Sequence, residues 1–135
     1  MEKTLGIIKP DAVASKYSGR IVSRIEEEGF TIVAMKKMTL TTNQAENFYT
    51  IHKGKPFYDE LVKFMSSGPV VVMVLEKENA IQEWRKLMGA TDPAQAEENT
   101  LRKLYAKNVG ENATHGSDSP ETAKQEILFF FPGSL

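Results

Sequence analysis

Cysteine is missing altogether from this chain of 135 residues. Its absence excludes disulfides, thiolate metal sites and thiol redox chemistry, and it removes the commonest strong nucleophile. Long apolar runs are missing too. The two longest, residues 70–75 and 127–131, are of strand length and far short of a membrane span. The apolar stretch 5–8 ends at Lys9-Pro10, too soon for a signal-peptide core. A charge of one sign is lacking as well: 17 Lys+Arg stand against 18 Asp+Glu, and the pI is about 6.1. There is thus no global basic field for nucleic acid, and an anionic ligand must be held by a local cluster. These absences suit a cytoplasmic, non-membrane protein. The length suits one domain over 1–135, enough to bury roughly two thirds of the unfolded surface.

Periodicity orders the chain as strand, helix, strand, helices, strand, helices, strand. Residues 4–9 read as a short buried strand ended by Pro10-Asp11. Residues 19–28 place Ile21, Val22 and Ile25 on one helical face, with Gly29 as the stop. Residues 30–40 alternate as a strand. Thr41 with Gln44 resembles a capping box opening a helix to about Thr50, and a further helix runs from Pro56 to Met65. The apolar, β-branched run 70–75 reads as a central strand. Residues 78–88 form a helix stopped by Gly89, and 99–106 a short one. A helix over 120–125 and a strand over 127–131 complete the pattern. It predicts an α/β (α+β) sandwich: a ferredoxin-like βαββαβ, four-stranded antiparallel sheet with helices covering one face. Residues 89–118 read as a surface excursion, a long loop of the kind that carries function.

That excursion ends in Asn112-Ala113-Thr114-His115-Gly116-Ser117-Asp118-Ser119, which holds one of only two histidines. Pro120 suits a first helical position, with Ser119 or Asp118 as cap, so His115 is expected on a tight loop. On residue chemistry alone, such a histidine serves equally well as a surface residue or a second cap. Familiar signatures do not help: the chain has no GxxxxGK[ST] loop, no GxGxxG, no HExxH and no GxSxG. What remains is a scatter of donors at element ends: Lys9, His52, Lys55, Arg85, Thr91 and Arg102. Guanidinium forks and lysines can cradle a polyphosphate without a P-loop, and Phe57 could be core or could stack on a base. Residue chemistry leaves that open.

Five blocks in order carry a resemblance: Ile8-Lys9-Pro10-Asp11, His52-Lys53-Gly54-Lys55-Pro56-Phe57, Ser67-Gly68-Pro69-Val70-Val71, Gly89-Ala90-Thr91-Asp92-Pro93 and the His115 block. The sequence resembles the nucleoside diphosphate kinases over essentially its whole length. That resemblance implies that His115 is phosphorylated by a nucleoside triphosphate. It further implies that Lys9 and Asn112 contact the ribose hydroxyls, Lys9 also reaching the phosphates, and that Phe57 stacks on the base. His52, Arg85, Thr91 and Arg102 would hold the phosphates, Tyr49 would line the site, and Glu126 and Ser117 would orient the imidazole. No side chain is implied as a metal ligand, because Mg²⁺ rides on the nucleotide phosphates. A homo-oligomer built from dimers, tetramer or hexamer, is implied as well.

Some positions depart from the common family pattern. Ala12 and Asn99 stand where glycine is frequent, and Lys103-Leu104-Tyr105 differs from the usual residues after Arg102. The short ending after Phe131 suggests a bacterial-type form.

The chemistry is coherent. An imidazole, with an ordinary pKa of about 6.5, is a nucleophile near neutrality without prior deprotonation. A covalent phosphohistidine implies ping-pong kinetics, and stacking on Phe57 is tolerant because every base has a π-face. The alternative is a non-catalytic nucleotide-binding regulatory module of the same fold. An RRM-like nucleic-acid binder is disfavoured by the charge and by the lack of an RNP1-type motif.

Overall fold

The apolar run that starts at Val70 becomes a strand buried on both faces, and the rest of the fold is built around it. The computed structural model describes residues 1–133. In chain order its elements are β1 (Glu2–Ile8), α1 (Pro10–Ala14), α2 (Ser18–Glu27), β2 (Thr31–Met38), α3 (Thr42–Phe48), α4 (Tyr58–Met65), β3 (Val70–Lys77), α5 (Ala80–Met88), α6 (Leu101–Tyr105), β4 (Thr114–Gly116) and α7 (Pro120–Phe130). A single 3₁₀ turn, Thr50–His52, links α3 to the loop before α4. The sheet order is β2-β3-β1-β4, with every neighbouring pair antiparallel. This is the expected ferredoxin-like α+β arrangement.

Local signals account for most of the helices. In α3 the capping box is complete, with the Gln44 amide donating to Thr41 Oγ1 at 3.0 Å and the Thr41 amide to Gln44 Oε1 at 2.9 Å. Ile21 and Ile25, one turn apart, seat α2; burying each contributes about 1.5–3 kcal/mol. Helix α5 buries Ile81, Trp84, Leu87 and Met88 and stops at Gly89, whose φ of 87° suits glycine. Ser119 caps α7, accepting from the Thr122 amide at 3.1 Å, and Pro120 opens the helix as expected. Asn99 has φ 69°, a left-handed conformation that asparagine tolerates better than most residues. That is a physical reason for its standing where glycine is frequent.

Four expectations are corrected. Residues 127–131 are not the fourth strand: α7 continues through Phe130, because Ala123, Ile127 and Phe130 fall on one helical face and all three bury there. Tertiary burial overrides the strand preference of the aromatic run. The fourth strand is instead β4, so His115 lies on a short strand paired to Ile7 of β1, not on a loop. Helices cover both faces of the sheet rather than one. Val71, Met73 and Leu75 pack with α1, α2 and α5, whereas Val70, Val72 and Val74 pack with residues of α3, α4 and α7. A strand with six consecutive buried residues requires cover on both sides. The stretch 89–118 is accordingly no mere surface excursion, since Leu101, Arg102, Asn112, Ala113 and Thr114 are all buried.

β1 and β4 place Gly6 opposite Gly116, and these two glycines form a slot for Trp84. The indole fills it and donates from Nε1 to the His115 carbonyl at 3.0 Å.

Candidate active site

The geometry begins at His115. Pairing with β1 fixes its backbone, and the Trp84 indole holds its carbonyl from the other side. The imidazole Nε2 lies 3.0 Å from Glu126 Oε1, one turn before the buried Phe130 on α7, and the two side chains are only 18% and 15% exposed. Ser117 Oγ donates to the same Glu126 oxygen at 2.8 Å and accepts from the Leu5 amide at 3.3 Å. A carboxylate in that position holds the imidazole proton on Nε2. Nδ1 then keeps its lone pair, and no hydrogen bond within the described residues engages it. Phe48 and Tyr49 stand edge-on to the ring, with centroids 5.4 and 6.4 Å away.

A cleft of about 710 Å³ opens in front of His115. Lys9, Tyr49, His52, Phe57, Arg85, Thr91, Arg102 and Asn112 all line it, so the structure gathers these expected site residues around one space. Ser117 and Glu126 do not line the cleft; they stand behind the imidazole. Phe57 and Thr91 are exposed, and Phe57 lies 5.3 Å from His52.

The cations are held differently from one another. Lys9, buried at the end of β1, donates from Nζ to Asn112 Oδ1 at 2.8 Å. Burial, and then Arg102, pull its pKa down to about 8, against the opposing pull of Asp11. Arg102 donates to three backbone carbonyls: Asn112 at 3.3 Å, Gly89 at 3.0 Å and Thr114 at 2.9 Å. Burial, helped by Arg85, lowers its pKa to about 10, which leaves the guanidinium charged at neutral pH. Arg85 is half exposed and pairs with Asp118 at 2.7 Å, a solvated contact worth little by itself.

Two polar atoms at the cleft are buried without a hydrogen-bond partner, the Tyr49 hydroxyl and His52 Nδ1. Burial, reinforced by Glu126, pushes the Tyr49 phenol well above its usual range, so it stays a neutral donor. Orphan donors and acceptors facing a cleft are groups a polar ligand can satisfy.

Sequence reasoning missed several contributors. Leu61, Phe64 and Met88 give the cleft its apolar wall, Asp118 holds Arg85, and Trp84 braces the histidine strand. Trp84 had a signal available: glycines inside strand segments, as at Gly6, mark close approach of a bulky neighbour. Asp11 lay within a quoted block but carried no assigned task.

Fold and site together define a class: an α+β sandwich that sets a carboxylate-held histidine before a cationic, aromatic-rimmed cleft. Known proteins narrow it. The nucleoside diphosphate kinase family model matches residues 2–134. A nucleoside diphosphate kinase from Persephonella marina is 61% identical over 131 residues, covering 97% of this chain and 94% of that protein. The solved Aquifex aeolicus nucleoside diphosphate kinase superposes with a TM-score of 0.96 at 47% identity, covering 98% of this chain and 96% of the other. The Halobacterium salinarum enzyme, solved in complex with CDP, gives 0.93 at 41% identity, covering 97% and 88%. The chain belongs to the nucleoside diphosphate kinase family.

Proposed function

We propose that this chain transfers the γ-phosphoryl group of a nucleoside triphosphate to a nucleoside diphosphate through a phosphohistidine on His115. The observation that carries the reading is the His115–Glu126 contact, with Nε2 tied down and Nδ1 unengaged on a residue lining the cleft. In the first half-reaction Nδ1 attacks the γ-phosphorus. The new N–P bond forms as the bond to the β,γ-bridging oxygen breaks, and the nucleoside diphosphate leaves with that electron pair. In the second, the terminal phosphate oxygen of another diphosphate attacks the phosphohistidine and the N–P bond breaks. Glu126 stabilises the positive charge that develops on the ring, and Ser117 keeps that carboxylate aimed.

Lys9, Arg85 and Arg102 are suited to phosphate oxygens, with His52 and Thr91 as further donors, and positioning plus charge neutralisation is most of what phosphoryl transfer requires. Phe57 at the rim supports stacking on the base, while Asn112 with Lys9 supports ribose contact; neither reads base identity. The donor set is cationic and amide-rich. Among the described residues, no group of three His, Asp or Glu side chains could hold a metal ion. Mg²⁺ would enter with the nucleotide, where it would neutralise phosphate charge. The edge strand β2 exposes Val33 and Met35, which supports assembly as a homo-oligomer built from dimers, tetramer or hexamer. We place the chain in the cytoplasm on its cysteine-free composition; no helix among the described residues is long and apolar enough to cross a membrane.

The test is an intact-mass spectrum after incubation with ATP and Mg²⁺, repeated after adding GDP. The expected result is one phosphoryl adduct that disappears on GDP addition as GTP forms. Folded protein that binds ATP yet yields neither adduct nor GTP would instead be a nucleotide-binding module. Glu126→Gln is expected to lower kcat about 10- to 100-fold, the loss of one charge-assisted hydrogen bond to the ring. Its KM should change far less, because Glu126 does not line the cleft. Steady-state kinetics check the split.

A further inference from the structure

Asp11 is a buried acid that the reaction above leaves without a task. It sits in the first turn of α1, two residues after Lys9. Its Oδ2 accepts from the Ala113 amide at 3.1 Å, while Oδ1 is buried with no partner. Ala113 is itself unusual: it is fully buried and holds φ 72°, a conformation that L side chains adopt only under constraint. The constraint is visible. Asp11 takes the Ala113 amide, and the Lys9 amide donates to the Ala113 carbonyl at 2.8 Å. Just before this residue, Asn112 presents Oδ1 to Lys9 Nζ at 2.8 Å; just after it, β4 leads into His115.

A hydrogen bond to one amide does not call for an acid. Asparagine would accept equally well without burying a charge, which is expensive. A buried carboxylate whose charge bears on the Lys9 ammonium, two residues away in the chain, is explained by that charge.

We propose that Asp11 is a positioning residue of the phosphotransfer site: its carboxylate clamps the Ala113 turn that brings Asn112 to Lys9, and it is the counter-charge of the Lys9 ammonium. The proposal rests on the phosphotransfer reading. Arg102 on α6 acts on Lys9 directly, and the cleft lining adds the titratable or charged groups His52, Glu60, Arg85, Glu111, His115 and Asp118. Burial and Arg102 drive the ammonium towards its neutral form; Asp11 opposes them and leaves the pKa at about 8. Without the Asp11 charge, Lys9 deprotonates at lower pH and loses its hold on phosphate there. Asp11 is itself pushed above the usual carboxylate range, chiefly by burial. The folded chain therefore binds a proton at Asp11 more readily than the unfolded chain does. Its ionised form weakens the fold at neutral pH, and that penalty fades as pH falls.

Asp11→Asn keeps the acceptor and removes the charge, so function and stability should move apart. Three readouts are followed against pH: affinity for MgADP, the unfolding midpoint, and phosphoryl adduct formation with ATP. Asp11→Asn is expected to melt no lower than the parent and still to accept phosphate. Its affinity for MgADP should fall roughly three- to tenfold near pH 8, with the basic limb displaced to lower pH. Asp11→Glu, which keeps the charge, should hold the parental limb. Parental affinity and an unmoved limb in Asp11→Asn would overturn the proposal, as would a displaced limb in Asp11→Glu. Failure of the parent to form an adduct would sink the phosphotransfer reading alone, since MgADP affinity still tests Asp11.

Discussion

Replacing His115 with alanine is expected to abolish phosphoryl transfer, lowering kcat by at least about 10⁴-fold. The other imidazole of the cleft, His52, has no carboxylate hydrogen-bonded to it among the described residues and its Nδ1 is buried, so it is not set up as His115 is. Cysteine is absent from the chain, the Tyr49 phenol is held neutral by burial, and Lys9 and Arg102 carry charge rather than a lone pair at neutral pH. Binding should survive. Lys9, Asn112, Arg85, Arg102 and Phe57 reach the cleft from other elements, and the backbone of β4 keeps its pairing with β1. Glu126 loses one partner but keeps Ser117 at 2.8 Å, so the fold should lose only about 1 kcal/mol. Turnover, intact mass with ATP, and MgADP affinity check the three parts. Turnover near the parental rate, or a phosphoryl adduct still forming, would remove His115 from the carrier role.

The second large effect comes from a cleft residue that has no side chain to offer a nucleotide. Gly116→Ala places a Cβ 2.6 Å from Trp84 Cδ1, 2.8 Å from its Nε1 and 2.6 Å from Met88 Cε. The methionine tip can swing, but the fully buried indole cannot. Moving Trp84 also breaks its bond to the His115 carbonyl and presses it on Gly6, where a Cβ would already lie within 3.2 Å of the ring. Overpacking with a lost buried hydrogen bond is expected to destabilise by about 2–4 kcal/mol. That corresponds to a fall of roughly 10 °C in the melting midpoint of a domain this size. The rate should drop as well, because the shift displaces the strand that carries the nucleophile. A thermal melt decides: an unchanged midpoint would mean that the slot has slack.

How far the sequence foretold all this depended on the range of each signal. The Thr41/Gln44 capping box, the Ser119-Pro120 start of α7 and the apolar run at Val70 are local, and each formed where expected. β4 has three residues, too few and too polar for an alternation to show, so His115 read as a loop residue. The aromatic run after Glu126 suited either a strand or a helix, and only the packing of Ile127 and Phe130 against the sheet decides. Cover on the second face was latent in the six buried residues of β3 but needed α3, α4 and α7 to be placed in space. The cleft residues arrive from separate helices, strands and connections, a convergence that no periodicity encodes. The resemblance supplied it, and the geometry then gathered Lys9, His52, Phe57, Arg85, Thr91, Arg102 and Asn112 in front of His115. Ala113 with its positive φ, and Asp11 beneath it, left no such trace, because the constraint spans about a hundred residues of chain.

Trp84 is the only tryptophan in the chain, and its indole nitrogen is bonded to the backbone of the residue proposed to carry the phosphoryl group. Indole emission responds to a change in that hydrogen bond and in the field around it. Phosphorylation of His115 would add negative charge a few bonds away, on the same short strand. The protein thus contains its own optical reporter: stopped-flow fluorescence could time each half of the cycle without label, coupling enzyme or altered substrate.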